Sequence, residues 1–280
     1  MMKKIRAFMD QYAIVSAFLA FIAIDLLLYG VSHLLNLLPK TLPMNYLAHS
    51  VLIILPVAIV FLFGFSSVFK KGHFGRGLLC ALPYIIFQLI LLLIVFKKYL
   101  GDPEANWQPW YLMVYGMFTV LCVGIREECI YRGVIQNIVA RKYANSVKGI
   151  WITAIVGGLI FGVMHLGNIF SGVNPTAVLD QVVSAIFSGL VFSAIYLRSG
   201  NIWVVILLHT LIDTVGLVPS TFLGATLTEN LNNTSWGVAT LVLWVAEIGY
   251  AAFLLRPSKC KEICESLCFL EKPSETAAHS

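Results

Sequence analysis

Eight long apolar runs constrain this chain more than any other feature of its sequence. A helix needs about 20 mostly apolar residues to cross the roughly 30 Å hydrocarbon core of a bilayer. Hydrophobic residues make up 59% of the 280 residues and charged residues only 12%, far below the level of soluble domains. The runs cover approximately Tyr12–Leu38, Tyr46–Phe69, Leu78–Phe96, Trp110–Arg141, Gly149–Leu166, Ala177–Leu197, Ile202–Val218 and Trp236–Leu255. We predict an all-α polytopic membrane helix bundle with about eight transmembrane helices.

Composition also indicates the surroundings of the chain and its division into regions. The lipid bilayer is the expected partner, whereas the net charge of +5 is spread over short segments, so we expect no nucleic-acid partner. Residues 1–109 would hold the first three transmembrane helices and residues 110–220 a catalytic helix bundle. Residues 221–258 would form the last loop and helix, and residues 259–280 a cytoplasmic tail.

The distribution of basic residues predicts the orientation. With a cytoplasmic N-terminus, the inner segments hold fourteen of the 19 Lys and Arg residues and the outer loops hold three. The other two, Arg126 and Arg132, lie within the fourth run. This bias follows the positive-inside rule. We therefore expect both termini in the cytoplasm, with the chain in the cell membrane of a bacterium or the endoplasmic reticulum of a eukaryote.

Ionisable side chains within the apolar runs are the candidate functional residues. Each costs on the order of 3 kcal/mol to insert into a membrane, so each needs a partner or a function. They are Asp25, Arg126, Glu127, Glu128, Arg132, His165, His209, Asp213 and Glu247.

Helix geometry separates the two adjacent glutamates. Glu128 and Arg132 lie four residues apart, on one helix face, and can form an ion pair. Glu127 points about 140° away from Arg132, so we expect it to lack that counter-charge. A carboxylate in low-dielectric surroundings takes up a proton readily, which suits a general base. The alternative is an ion-pair network of both glutamates with Arg126 and Arg132 that only fixes helix packing.

Two histidines complete the candidate site. His165 follows a stripe of small residues, Gly158 and Gly162, that favours close helix packing. His209 and Asp213 share a helix face, so the carboxylate can orient the imidazole. A lone buried histidine is more often a core residue. Together, however, Glu127 and the two histidines could surround a water molecule and stabilise the oxyanion formed when that water attacks a peptide carbonyl.

These motifs resemble those of a known family. Glu127-Glu128-Cys-Ile-Tyr-Arg132-Gly133, Phe161-x-x-x-His165, Phe187-Ser-Gly-Leu and His209-x-x-x-Asp213 are similar to the CAAX protease and bacteriocin-processing family of intramembrane endopeptidases. The resemblance covers about residues 110–220. It implies hydrolysis of a peptide bond in a membrane-associated or prenylated protein or a leader peptide, in a site that opens to the cytoplasmic side.

The resemblance also implies roles for individual residues. Glu127 would activate the water and Arg132 would hold Glu128. His165 and His209 would bind the water or the oxyanion, and Asp213, which is often Asn in the family, would complete the site. The family is described both as metal-free and as metal-dependent; in the second case Glu127, His165 and His209 could bind zinc through three ligands.

Two other functions fit the same residues. Intramembrane Glu, His and Asp also build the proton relays of membrane transporters. A non-proteolytic membrane immunity or scaffold protein could keep the fold without turnover.

Two further expectations concern geometry. At about 1.5 Å per residue, Glu127 lies about 21 Å along the helix from Arg141, and His209 about 11 Å from Ile202. For these residues to meet, a helix must tilt or the fourth helix must continue past the membrane face. In the tail, Cys260, Cys264 and Cys268 would share one helix face and would suit palmitoylation.

Overall fold

The computed structural model describes residues 2–70, 72–233 and 237–270, with residues 2–6 and 269 described only in their backbone. Residues 271–280 of the expected cytoplasmic tail lie outside the described residues. The α-helices are α1 (Met2–Gln11), α2 (Ala13–Leu35), α3 (Leu42–Leu62), α4 (Phe74–Leu100), α5 (Trp110–Ile130), α6 (Asn137–Tyr143), α7 (Val147–Val163), α8 (Pro175–Ser199), α9 (Ile202–Gly216), α10 (Val218–Phe222), α11 (Leu227–Asn232), α12 (Val238–Leu254) and α13 (Cys260–Ser266).

The predicted helical membrane bundle is confirmed, but the count of eight spans is not. Among the described residues, five helical segments are long and apolar enough to cross a bilayer: α2, α3, α4, α7 with the 3₁₀ turns that follow it, and α8. A sixth is possible if α12 and the residues after it form one span with a 50° bend. With only 15 residues, α9 is too short, and α5 carries three charged residues near its end.

The fourth predicted run forms one unbroken helix made of three parts. After α5 the chain forms a π-helical segment, Tyr131–Gln136, and continues directly into α6. The helix from Trp110 to Tyr143 would be about 50 Å long, longer than the hydrocarbon core of a bilayer is thick. This length agrees with the expectation that the fourth helix continues past the membrane face. Single π turns inside α-helices occur often at functional sites, and this one directly follows the glutamate pair.

Glycines bring α7 and α8 close together. A Cβ atom on Gly158 would lie 2.9 Å from the Ile186 carbonyl oxygen, and one on Gly162 would lie 2.8 Å from the Val182 carbonyl oxygen. Both distances are too short for a side chain, so the backbones approach as closely as they do only because these residues are glycines. The small-residue stripe predicted from the sequence is therefore a helix contact. It holds the helix ahead of His165 against α8.

Charged residues from several predicted inner segments meet at one end of the bundle, which we call the basic end. On α13, Glu262 binds Arg198 of α8 at 2.6 Å and Arg76 of α4 at 3.4 Å. Nearby, Cys264 of α13 contacts the Ala144 carbonyl oxygen, just after α6, at 3.3 Å. The basic end therefore combines parts of the chain that the orientation prediction assigned to the same compartment.

The tail cysteines depart from their predicted arrangement. Cys260 and Cys264 lie on α13, but α13 ends at Ser266, and Cys268 lies in a separate 3₁₀ turn. The prediction that one continuous helix face carries all three thiols is therefore wrong. Within the described part of the chain, none of the six cysteines belongs to a disulfide.

Candidate active site

The last turn of α5 and the π segment place Glu128 against Arg132. Their side chains are completely buried, and the Arg132 Nη1 atom lies 2.8 Å from Glu128 Oε1. Arg132 also donates a hydrogen bond of 3.0 Å to the Gly189 carbonyl oxygen of α8. Its guanidinium lies over the rings of Phe161 and Phe192, 4.5 Å and 5.1 Å from their centroids. The predicted ion pair is present, and it ties α5 to both α7 and α8.

Glu127 forms an ion pair with Arg126, a contact that the sequence analysis gave only as part of the alternative network. Arg126 Nη2 lies 3.3 Å from Glu127 Oε1, whereas Arg132 pairs with Glu128, as expected. The Arg126 side chain is 29% exposed and that of Glu127 only 7%. The second oxygen, Oε2, is buried and accepts no hydrogen bond. One carboxylate oxygen is thus held by Arg126 and the other remains available.

His209 connects the three acidic side chains of the site. Its Nδ1 atom lies 2.7 Å from Glu128 Oε1. Its Nε2 atom lies 3.7 Å from Glu127 Oε2 and 3.5 Å from Asp213 Oδ2. The predicted proximity of His209 and Asp213 is present. The contact between His209 and Glu128 was not predicted, because no local pattern relates residues 81 positions apart.

His165 lies apart from this cluster. It belongs to the 3₁₀ segment Met164–Ser171 that follows α7, and its Nδ1 atom lies 3.0 Å from the Phe161 carbonyl oxygen. The Phe161 ring contacts both imidazoles, with centroid distances of 5.3 Å to His165 and 5.6 Å to His209. Within the described part of the chain, His165 forms no ion pair with an acidic side chain. The predicted grouping of Glu127, His165 and His209 is therefore present only for Glu127 and His209.

The donor geometry does not fit the predicted zinc site. Across the described ranges, no group of three or more His, Cys, Asp or Glu residues is arranged to hold a metal ion. Both ring nitrogens of His209 face carboxylates, and His165 is engaged with its own helix. Glu127, His165 and His209 are thus not arranged as ligands of one ion.

The remaining intramembrane acids lie elsewhere. Glu247 of α12 is buried and accepts a hydrogen bond from the Tyr84 hydroxyl of α4, while Asp25 is exposed on α2. Sequence reasoning did not single out Phe161, Phe192 or Gly189 as parts of the site. Phe161 and Gly189 do occur in the motifs around His165 and Phe187. Their presence in those motifs was the sequence feature that could have identified them as parts of the site.

Comparison with known proteins supports the assignment of this region. Residues 109–215 match a family model described as type II CAAX prenyl endopeptidase Rce1-like. This segment is Rce1-like. The match runs from just before α5 nearly to the end of α9 and contains all six candidate site residues, so it supports the resemblance of residues 110–220 that the motifs indicated. No curated protein and no solved structure matches the chain. Its apolar helices make the chain a multi-pass membrane protein, and its segment 109–215 is similar to type II CAAX prenyl endopeptidases.

Proposed function

We propose that this chain is an intramembrane endopeptidase that hydrolyses a peptide bond of a membrane-associated protein with a water activated by Glu127. The observation that carries the proposal is the gap between Glu127 Oε2 and His209 Nε2. At 3.7 Å the two atoms are too far apart for a direct hydrogen bond. A water between them would bridge the two groups and would give the buried, unpartnered carboxylate oxygen a donor.

In the proposed reaction, Glu127 Oε2 accepts a proton from this water while the water oxygen bonds to the carbonyl carbon of the substrate. The carbonyl oxygen becomes an oxyanion. His209, which stays doubly protonated, donates a hydrogen bond from its Nδ1–H to Glu128 and one from its Nε2–H to the oxyanion. When the tetrahedral intermediate collapses, the carbon–nitrogen bond breaks and Glu127 returns its proton to the leaving amine.

Glu128 and Arg132 act through His209 in this scheme. Arg132 balances the Glu128 charge at 2.8 Å, and Glu128 fixes the imidazole through Nδ1 at 2.7 Å. Both are positioning residues. The contacts of Arg132 with Phe161, Phe192 and Gly189 hold the carboxylate at a defined distance from α9, so the direction of Nε2 is set before substrate binds.

His165 and Asp213 have supporting roles in the proposal. The Nδ1 proton of His165 can donate to the Phe161 carbonyl oxygen, which leaves Nε2 as an acceptor for a substrate N–H group. Asp213 contacts His209 Nε2 at 3.5 Å and favours the protonated ring. Because the donor geometry does not fit a zinc ion, the proposed reaction uses no metal.

The test compares two buried glutamates at membrane depth. Purified protein in lipid nanodiscs is incubated with a quenched fluorescent peptide that carries a lipid anchor, with and without a chelator. Glu127→Gln should abolish cleavage, because the amide cannot accept the proton. Glu247→Gln, the matched control outside the site, should retain the wild-type rate, and the chelator should have no effect. An active Glu127→Gln variant would refute the assignment of the base, and an inactive wild type would favour a non-proteolytic protein.

A further inference from the structure

The basic end carries a group of four charged side chains whose charges do not balance. The Glu262 carboxylate of α13 contacts three cations: Arg198 Nη2 at 2.6 Å, Lys259 Nζ at 2.8 Å and Arg76 Nε at 3.4 Å. We call these four residues the Glu262 cluster. Since one carboxylate neutralises only one cation, the cluster has two positive charges in excess. Cations held this close together repel one another, so a further anion beside them would be bound favourably.

Two of the three cations have hydrogen-bond donors on the surface. The Arg198 side chain is only 7% exposed, and its donors are directed to Glu262 and to the end of α12. Arg76 is 31% exposed. Its Nε and Nη1 atoms contact Glu262 and Ser266, and Nη2 has no partner within the described part of the chain. Lys259 is 29% exposed, and its ammonium group, which has three donors, contacts Glu262. Arg76 and Lys259 therefore present charged donors side by side, an arrangement that suits a phosphate group.

The Glu262 cluster lies at the level of the membrane surface. The start of α4 is held to the end of α8 by a hydrogen bond of 2.7 Å from the His73 backbone N–H to the Ser199 carbonyl oxygen. At the start of α9, the Trp203 indole donates to the Phe69 carbonyl oxygen at 3.1 Å. Tryptophan is enriched where the hydrocarbon core meets the headgroups. The Glu262 cluster is therefore next to lipid headgroups, and the orientation prediction assigns it to the cytoplasmic leaflet, which is rich in anionic lipids.

An apolar groove with a volume of about 650 Å³ lies between α4 and α12. Its side chains Phe87 and Val242 are exposed, so the groove opens toward lipid. The Tyr84 hydroxyl in its wall donates a hydrogen bond to the Glu247 carboxylate, so neither group needs a partner from an occupant. The lining residues that matter here are Pro83, Phe87, Leu91, Ala239, Val242 and Ala246. These walls suit a hydrocarbon chain.

The groove continues the face of α4 that carries Arg76. Pro83 lies seven residues after Arg76 and Phe87 four residues further, which keeps all three side chains on one side of the helix. Between Arg76 and Pro83, the Tyr250 hydroxyl of α12 donates to the Cys80 carbonyl oxygen at 2.6 Å and ties the two helices together. A molecule whose charged end contacts the Glu262 cluster can therefore extend along α4 into the groove.

The length of the groove matches one leaflet of a bilayer. The groove extends about 12 Å along α4, from Pro83 to Leu91, and about 16 Å along α12, from Ala239 to Tyr250. One leaflet of the hydrocarbon core is about 15 Å thick. Arg76 precedes Pro83 by about 10 Å along the helix, which leaves room for a headgroup layer of roughly 5–8 Å. A phospholipid therefore fits both parts, with its phosphate at the cluster and a chain in the groove.

We propose that the Glu262 cluster and the groove between α4 and α12 together bind one anionic phospholipid. Its phosphate would contact Arg76 and Lys259, and one acyl chain would lie along the groove. The site is separate from the candidate active site and does not depend on the proposed endopeptidase function. A zwitterionic phospholipid lacks the net negative charge that the two excess cations favour, and a soluble phosphate lacks the chain that fills the groove.

Native mass spectrometry of the purified full-length chain in detergent measures this binding without any proteolysis. Three probes are compared: phosphatidylglycerol, phosphatidylcholine with the same acyl chains, and glycerol phosphate. Phosphatidylglycerol should form a one-to-one complex at the lowest concentration, and glycerol phosphate should not displace it. Equal binding of the two phospholipids would refute the recognition of charge. Displacement by glycerol phosphate would indicate a site for soluble phosphates and would refute the assignment to a lipid.

The headgroup contacts are tested by removing the two exposed cations. Arg76→Gln and Lys259→Gln should each weaken phosphatidylglycerol binding about fivefold, and the double variant about 25-fold. The double variant keeps the 2.6 Å pair of Arg198 with Glu262, so no buried charge loses its partner and the fold should be kept. Lys148→Gln, which removes the same charge at an exposed position of the same end, is the matched control and should bind like the wild type. An equal loss in Lys148→Gln would indicate general attraction to the basic end and would overturn the site.

The acyl-chain contacts are tested by filling the groove. Ala246→Phe places a ring among the lining residues and should weaken phosphatidylglycerol binding by roughly tenfold or more, the range for one group in an apolar pocket. Val245→Phe, at the neighbouring position on the lipid-exposed side of α12 with 70% exposure, is the control and should bind like the wild type. Ala239→Phe, at the other end of the groove, serves if Ala246→Phe does not fold. Wild-type binding by a folded groove variant would refute the role of the groove.

Discussion

Replacing Glu128 by glutamine tests the ion pair on which the site is built. The change keeps the size of the side chain but leaves Arg132 without its counter-charge. Both side chains have no exposed surface, so solvent does not screen the loss. Breaking a buried pair by removing one partner costs about 3–5 kcal/mol. Arg132 keeps its hydrogen bond to the Gly189 carbonyl oxygen and its contacts with two aromatic rings, so we expect the lower end of that range.

Thermal unfolding of the purified variants in detergent measures this effect. A loss of about 3 kcal/mol lowers the Tm by on the order of 10 °C in a chain of this size. Glu127→Gln is the matched control. Its partner Arg126 is partly exposed and contacts it at 3.3 Å, so the change should cost less than about 1 kcal/mol. The two adjacent glutamine variants should both lose activity, but only Glu128→Gln should lose stability.

The double variant Glu128→Gln/Arg132→Gln separates the charge effect from the catalytic effect. Removing both charges leaves no uncompensated ion in the core, so the Tm should recover by half or more of the loss. The cleavage rate should stay low, because His209 has lost the carboxylate that contacts its Nδ1 atom at 2.7 Å. A Glu128→Gln variant that melts at the wild-type temperature, or a double variant less stable than either single one, would refute this account.

The remaining predictions concern the histidines, Asp213 and the orientation. His209→Gln should lower kcat by at least 10²- to 10³-fold, the usual cost of losing an oxyanion donor, whereas His165→Gln, which contacts neither Glu127 nor Glu128, should lose less; similar losses for both would contradict the separation of the two imidazoles. Asp213→Asn should remain active, because an amide still approaches His209 and can donate to the oxyanion; a loss as large as that of Glu127→Gln would contradict it. Reporter fusions at Ser280 and after Asn232 should report opposite compartments, with Ser280 cytoplasmic; a non-cytoplasmic signal at Ser280 would reverse the orientation.

The sequence predicted those parts of the site that depend on helix periodicity. Glu128 and Arg132 are four residues apart on one helix, and so are His209 and Asp213, so their proximity follows from the helix itself. Even the π segment, which lies between Ile130 and Asn137, leaves the first pair in contact. The spacing of Gly158 and Gly162 likewise predicted that a neighbouring helix approaches α7 closely, but not that this helix is α8.

Which side chains meet between different helices could not be predicted from helix periodicity. The 2.7 Å contact between His209 and Glu128 depends on how α9 crosses α5, and local periodicity carries no information on crossing geometry. The pairing of Arg126 with Glu127 was predicted only as part of the alternative network, because neighbours on a helix normally point apart, yet a long arginine side chain can reach back to Glu127. His165 was placed on a regular helix, whereas α7 ends at Val163.

The charges of the site balance one another in a way that fits the proposed reaction. In the proposed mechanism, Arg126, Arg132 and protonated His209 oppose the three carboxylates of Glu127, Glu128 and Asp213, so the net charge is zero before reaction. When Glu127 accepts the proton of the water, the protein side gains one positive charge and the substrate gains one negative charge as the oxyanion. The total charge of the site does not change. Since charging a low-dielectric interior is costly, a site that stays neutral through the attack avoids the largest electrostatic cost that a hydrolase within the membrane would meet.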